Sequence, residues 1–345
     1  MSGETPLRYV DIFNGDADGL IARHQYRLAF PVSADQLRLI TGVKRDIALV
    51  GRLDASLVND EVTVFDISYD QNAAAVEHLL AQGVHVRYFD HHRADQLKMH
   101  ALLDAHIDPS PTICTSLLVD QFLGGAYRAW AITAAFGDNL ITVATQLASE
   151  QSFAATETTA LRELGECLNY NAYGEREEDL YFRPAELAAR LAPYENPLAF
   201  IEADTAFATL KHGVIDDLQR AIAIAPYHVS AACAIFILPD EPWARRVSGA
   251  FANRVAEAHP ARAHAILTHN LAGNFTVSIR APVVAAHSAD RVALAFAGGG
   301  GRASAAGINQ LASDEIATLI AKMDAVFDPH AAPNSAPSMP TRESS

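Results

Sequence analysis

Val84-His85-Val86-Arg87-Tyr88-Phe89-Asp90-His91-His92 is the stretch around which the rest of the chain is arranged. The run to Phe89 alternates and is rich in β-branched and aromatic residues, the pattern of a short strand. A carboxylate and two imidazoles follow at its C-terminal end, which in open α/β sheets is where ligands bind. Taken alone, these three could equally be solvated polar residues. Three further stretches weigh against that reading. Asn14-Gly15-Asp16-Ala17-Asp18-Gly19 follows a strand-like run from Leu7 to Phe13. Asp66 ends another such run, Val62-Thr63-Val64-Phe65. Asp138 sits in the apolar stretch Ala134-Ala135-Phe136-Gly137-Asp138-Asn139. Carboxylates and imidazoles gathered in this way point to a metal site.

Working outward, Leu20 to Phe30 reads as a helix, Leu37 to Ile40 as a strand, and Gln71 to Gln82 as a helix closed by Gly83. Alternating strands and helices predict an α/β fold, with a mainly parallel sheet, right-handed crossovers and flanking helices. Ile107 to Pro111 reads as a loop. Thr112 to about Leu168 is helical in tone, broken at Gly124-Gly125 and Gly137. Asn169 to Arg183 reads as a loop, and Pro184 to Ala225 as helix interrupted at Pro193 and Pro197. Near Pro226 the pattern restarts, with strands at Ala232 to Leu238, Ala263 to His269 and Asn274 to Arg280. A helix runs from Pro242 to about Ala258. Ala289 to Ala297 precedes a glycine run, and a last helix runs from Ser313 to Phe327. The expected organisation is a metal-binding domain over 1–203, a connecting helix over 204–225 and a smaller α/β domain over 226–327, with the active cleft between the two domains. Residues 328–345, rich in Pro, Ser and Ala, are expected to be a disordered tail.

The 345 residues are 50% hydrophobic and 19% charged, with a formal net charge of −15. That charge argues against sequence-independent binding of long duplex DNA, which needs a basic surface. It leaves room for a short nucleotide held by a few arginines and metal ions. Cys114, Cys167 and Cys233 form no C-x-x-C pair and read as buried thiols in a reducing cytoplasm. Met1 to Pro6 has no secretory pattern. The apolar stretch Ala126 to Ala148 contains Arg128 and Asp138, and Val229 to Pro239 is too short to span a bilayer. A soluble cytoplasmic protein without membrane partners is expected.

Carboxylates with one or two imidazoles suit Mn²⁺ or Mg²⁺ better than a thiolate-rich zinc set. More carboxylates are present than one ion needs. Two ions roughly 3.5–4 Å apart, sharing a bridging carboxylate, would use them and clamp a phosphate. Asp16 and Asp18 could face different ions, with Gly15 and Gly19 letting the backbone bend beside them. Asp138 reads either as a ligand or as a helix cap before Asn139. Gly298 to Gly301 reads either as a turn whose N–H groups cradle an anion, with Arg280 and Arg302 nearby in the pattern, or as a flexible loop.

These motifs resemble the DHH superfamily of phosphoesterases, in its RecJ-like and oligoribonuclease-like branches. Asn14 to Gly19 looks like the first motif, Phe65-Asp66-Ile67-Ser68 the second, Asp90-His91-His92 the third and Gly137-Asp138-Asn139 the fourth. Gly298 to Gly307 resembles the glycine signature of the associated C-terminal domain, and Val277 to Arg280 the strand before it. The resemblance implies one metal at Asn14, Asp16 and Asp66, and a second at Asp18, Asp66, His91 and Asp138, with Asp66 bridging. It implies Asp90, His91 and His92 as catalytic residues, His92 facing the substrate phosphate and Asp90 orienting an imidazole. His92, Arg280, Gly299, Gly300, Gly301 and Arg302 would bind substrate. Asn14 stands where many relatives carry His or Asp, and Arg302 where the glycine signature often ends in His. The implied activity is two-metal hydrolysis, with Mn²⁺ or Mg²⁺, of phosphodiester or phosphomonoester bonds in short oligonucleotides or small nucleotides. Alternatives are a polyphosphate or pyrophosphate hydrolase and a non-catalytic nucleotide-binding relative. A homodimer is among the assemblies left open.

Overall fold

A computed structural model describes residues 8–53, 61–283 and 288–328. The chain divides into two units. One runs to Asp217 and takes in Arg245–Val247; the other comprises Leu218–Ala244 and the residues from Ser248 on.

The first unit holds β1 (Tyr9–Asn14), α1 (Ala17–Ala29), β2 (Leu37–Gly42), β3 (Glu61–Phe65), α2 (Tyr69–Ala81), β4 (His85–Asp90) and β5 (Leu103–Ile107). Helices follow: α3 (Thr115–Phe122), α4 (Arg128–Gly137), α5 (Ile141–Glu150), α6 (Ala155–Asn171), α7 (Pro184–Leu191), α8 (Pro197–Ala203) and α9 (Thr205–Ile222), whose last turn passes into the second unit. The strands lie in the order β2-β1-β3-β4-β5, and every pair is parallel. The chain leaves β1 to one side for β2 and crosses to the other side for β3. The strand order therefore reverses between β1 and β3, and a crevice opens at their carboxyl ends. Asn14 ends β1 and Asp66 follows β3 directly.

Both faces of this sheet are buried. Val10, Ile12, Val62, Val64, Val86 and Tyr88 pack with α2 residues such as Val76, while Phe13, Phe65 and Phe89 pack with α1 residues such as Leu20. A sheet covered on both sides needs near-continuous apolar strands, which is what these short runs supply. One polar residue intrudes: Asp11, fully buried in β1, is tied to Arg23 at 2.9 Å and Arg27 at 2.5 Å, both from α1.

β5 is not anticipated by the sequence reading, which passes from β4 to a loop. It is a half-buried edge strand of mixed polarity, held by Arg87–Asp104 pairing at 2.7 Å and by His106 stacked on Phe89. The long helical region resolves into separate helices. Gly124 and Gly125, at φ +65° and +84°, make the break between α3 and α4. Gly137 plays a different part. A Cβ there would lie 2.6 Å from the Ala17 Cβ and 2.8 Å from the Gly165 carbonyl. Glycine lets α4 approach α1 and α6 closely, and the chain reverses afterwards at Asn139, whose φ is +64°.

The second unit holds β6 (His228–Val229), β7 (Cys233–Ile237), α10 (Pro242–Ala258), β8 (Ala263–His269), β9 (Phe275–Arg280), α11 (Ala289–Ala293), β10 (Gly299–Gly301), β11 (Ala305–Leu311) and α12 (Ile316–Phe327). Its sheet order is β10-β11-β9-β8-β7-β6, antiparallel except for the β7–β8 pair. Residues of α11 and α12, such as Val292, Leu319 and Met323, cover one face. The glycine run, read as a turn or loop, is instead the edge strand β10, paired with β11 between Gly298 at φ +69° and Gly301 at φ +141°. Glycine has no β preference of its own, so its pairing is imposed by the neighbouring strand. The tail beyond Asp328 lies outside the described residues. No helix among the described residues is long and apolar enough to cross a membrane.

Candidate metal centre

The first motif is shaped by a helix start. Asp16 caps α1, its Oδ1 accepting from the N–H groups of Asp18 and Gly19 at 3.1 Å each, as an N-cap carboxylate should. A Cβ at Gly19 would lie 2.4 Å from the Asn14 carbonyl, so glycine is required for this turn. Asn14 braces it: its Oδ1 accepts from Asp16 N at 3.1 Å and its Nδ2 donates to the Lys44 carbonyl at 3.2 Å. Asp18 is drawn against the start of α3, its two oxygens accepting from Thr115 N and Ser116 N at 2.7 Å each.

Asp66 sits at φ +57°, a left-handed conformation rare for a residue with a side chain. The strained backbone turns its carboxylate into the crevice, where Oδ1 accepts from Thr115 Oγ1 at 3.0 Å and lies 3.4 Å from His91 Nε2. His91 Nδ1 lies 3.2 Å from the Ile113 carbonyl. A carbonyl only accepts, so this nitrogen carries a proton, and Nε2, which faces Asp66, is the atom that would offer its lone pair to an ion once its own proton is displaced. Asp90 is fully buried and points away from the cluster. Its Oδ2 accepts from Tyr69 N at 3.2 Å and its Oδ1 from His92 Nδ1 at 2.6 Å, which leaves Nε2 of the half-exposed His92 ring without that tie. Asp138 stands at the C-terminal end of α4, and α5 takes no side-chain cap from it. A helix C-terminus repels a carboxylate, so this placement calls for a cation.

Donor atoms of Asp18, His91 and Asp138 lie within 4.8 Å of one another, as do those of Asp66, His91 and His92. The electrostatics record the crowding. Burial, then the neighbouring Asp18, push the Asp138 carboxyl up to about 7. Burial, then Asp16 and Asp18, raise Asp66 as well. Burial alone would lower His91, but Asp66 and Asp18 lift it to about 10. A cluster that holds protons this firmly has excess negative charge and fits a divalent cation. The oxygen-rich donors Asp18, Asp66, His91 and Asp138 match a hard ion such as Mn²⁺ or Mg²⁺. Around Asn14 and Asp16 the positive charge comes from the chain itself. Lys44 Nζ lies 2.5 Å from Asp16 Oδ2 and 3.0 Å from Asn169 Oδ1, and it overrides burial to lower the Asp16 pKa.

Sequence reasoning did not find Lys44, Thr115, Ser116 or Asn169. Nothing in the sequence marks Lys44, a single lysine in a loop far from Asp16. In the second unit, Arg280 donates from Nε to Asn253 Oδ1 at 2.7 Å, and Arg302 is exposed at the turn joining β10 to β11. Gly299, Gly300 and Gly301 form the β10 ladder.

An open parallel sheet followed by a second mixed-sheet unit is a fold shared with solved structures. The exonuclease RecJ bound to manganese is 15% identical, with a TM-score of 0.59 over 94% of this chain and 91% of that one. A pGpG-specific phosphodiesterase, PggH from Vibrio cholerae, is 13% identical, with a TM-score of 0.52 over 94% and 99%. A DHH-domain protein described as a member of the s1p family of ribosomal proteins is 14% identical, with a TM-score of 0.59 over 93% and 86%. The fold is that of the DHH-domain proteins. No family model matches the chain, and no curated protein does.

Proposed function

We propose that the protein is a DHH-superfamily phosphoesterase that hydrolyses short oligonucleotides or small nucleotides with Mn²⁺ or Mg²⁺. The observation that carries this reading is the convergence of Asp18, Asp66, His91 and Asp138 at the β1–β3 switch point, with Asp138 at a helix end that demands a cation. Divalent ions held there would neutralise phosphoryl oxygens and acidify a water. The chain supplies the rest. Asp66 and Asp18 are fixed by Thr115 and Ser116, and His91 by the Ile113 carbonyl, so the donors are set before substrate arrives. Asp90 holds His92 in one tautomer, with Nε2 free to meet a phosphate or pass a proton to a leaving oxygen. Arg280, Arg302 and Gly299 to Gly301 are assigned to substrate recognition. The resemblance to PggH favours a dinucleotide over a longer strand, as does the net charge of −15. Three free, buried cysteines fit a reducing cytoplasm.

Hydrolysis of a panel of dinucleotides, longer oligonucleotides, nucleoside bisphosphates and polyphosphate with Mn²⁺ tests the proposal. Turnover of dinucleotides is expected, and polyphosphate turnover alone would replace the substrate class. A second reading, a non-catalytic nucleotide binder, draws on Asn14 and on Lys44 occupying Asp16. Nucleotide binding without turnover of any substrate would select it.

A further inference from the structure

The second unit gathers a set of donors of its own, different in chemistry from the acidic centre. His228 lies in the two-residue edge strand β6, Cys233 opens β7 and Asp324 lies in α12. One donor atom from each falls within 4.8 Å of the others. Cys233 Sγ is 3.4 Å from Asp324 Oδ1, and His228 Nε2 is 3.6 Å from Asp324 Oδ2. That second separation is too long for a hydrogen bond, and His228 Nε2 is buried with no hydrogen-bond partner. Two ligands on one tetrahedral zinc-sized ion are about 3.4 Å apart for nitrogen and oxygen and about 3.5 Å for sulfur and oxygen, from bond lengths of roughly 2.0–2.3 Å. The carboxylate thus already stands at ligand spacing from both partners. Ser230 Oγ donates to Asp324 Oδ1 at 2.5 Å and accepts from Cys233 N at 3.0 Å, fixing the carboxylate and the start of β7 together.

We propose that His228, Cys233 and Asp324 form a second metal site, for a borderline-soft divalent cation of the zinc class, with a fourth position open to water. The site is sorted from the first by hardness. The acidic centre offers oxygens and imidazole, whereas this one offers a thiolate. Binding displaces the Cys233 proton to solvent, forms the metal–sulfur bond and leaves oxidation states unchanged. A bound ion would clip the edge strand β6 and the last helix to the body of the sheet. The site is independent of any phosphoester chemistry.

The test uses the full chain, stripped with EDTA and given excess Mg²⁺ to fill the acidic centre, then titrated with Co²⁺. A sulfur-to-cobalt charge-transfer band in the near ultraviolet is expected, and Zn²⁺ should bleach it. The band should vanish in Cys233→Ser. In His228→Ala the Co²⁺ titration should move to at least about tenfold higher concentration. His228 is part-exposed on an edge strand, so this variant keeps the core, and its far-ultraviolet circular dichroism should match the parent. Absence of the band in the parent overturns the site. A band that survives Cys233→Ser does so too, since Cys114, beside Asp18, would then be its source. An unshifted titration in His228→Ala overturns the site as drawn.

Discussion

Asp66 is asked to do two things at one residue: hold a left-handed backbone and present a charge that its neighbours resist. Asparagine tolerates that backbone but carries no charge. Asp66→Asn should therefore separate the two roles. Without metal, relief of repulsion from Asp16 and Asp18 should leave the melting temperature unchanged or higher, while the rise on adding Mn²⁺ and all hydrolysis disappear. Thermal unfolding in EDTA and in Mn²⁺ measures both, and a retained Mn²⁺ response would end the bridging role. Lys44 gives the converse case. Lys44→Met leaves the buried Asp16 carboxylate unpaired, so the metal-free chain should melt lower and Mn²⁺ should restore more stability than it gives the parent. Isothermal titration would read an extra ion as a higher stoichiometry. His24 sets a pH limit. It is buried, bonded through Nε2 to the Tyr194 carbonyl, and burial first of all lowers its pKa to about 4. The unfolded imidazole titrates near 6.5, so between about 6.5 and 4 the unfolded state binds more protons and stability falls as pH falls. The loss is on the order of 3 kcal/mol below pH 4. Urea unfolding across this window should show a shallower acid slope in His24→Gln. At this scale the sequence made the carboxylates and imidazoles legible through their positions at strand ends. Lys44 and the Thr115-Ser116 anchor were not legible, because each meets its partner only through the tertiary fold.

Among the elements, the crossing of α4 and α6 decides where Asp138 stands. A Cβ on Gly165 would lie 2.1 Å from the Thr133 carbonyl, and backbone cannot yield as a flexible side chain can. Gly165→Ala should push the helices apart, cost about 1–3 kcal/mol and displace Asp138 from Asp18 and His91. Melting temperature, Mn²⁺ affinity and kcat should fall together; a loss of stability with unchanged Mn²⁺ affinity would mean that the crossing does not position the ligand. The strands β1, β3 and β4 and helices α1, α2 and α10 were readable because buried faces leave long apolar patterns. β5 and β10 were not. The first is a half-buried edge strand of mixed polarity and the second is glycine, and in both the pairing partner rather than the local sequence supplies the structure. Gly137, read as a break, does end α4, but the close approach of α4 to α1 and α6 that it allows was not legible.

For the whole molecule, net charge sets how substrates arrive. At −15 the protein repels a nucleotide at long range, and salt screens that repulsion. kcat/KM on a dinucleotide, measured at saturating Mn²⁺, should hold steady or rise from low to moderate salt. A steep fall would reveal a basic track that the composition hides. The all-parallel sheet has a consequence of another kind. Neighbours such as β1 and β3 meet only after a long crossover, so among the described residues no ladder in that unit can begin as a hairpin. β8 and β9, by contrast, are joined by a tight turn at Gly273. As the chain emerges from a ribosome, the strand that bears the first motif comes out early and must wait for β3 beside it. The segment that carries the first motif thus keeps one strand edge unpaired until β3 has been made, so that edge forms late in folding.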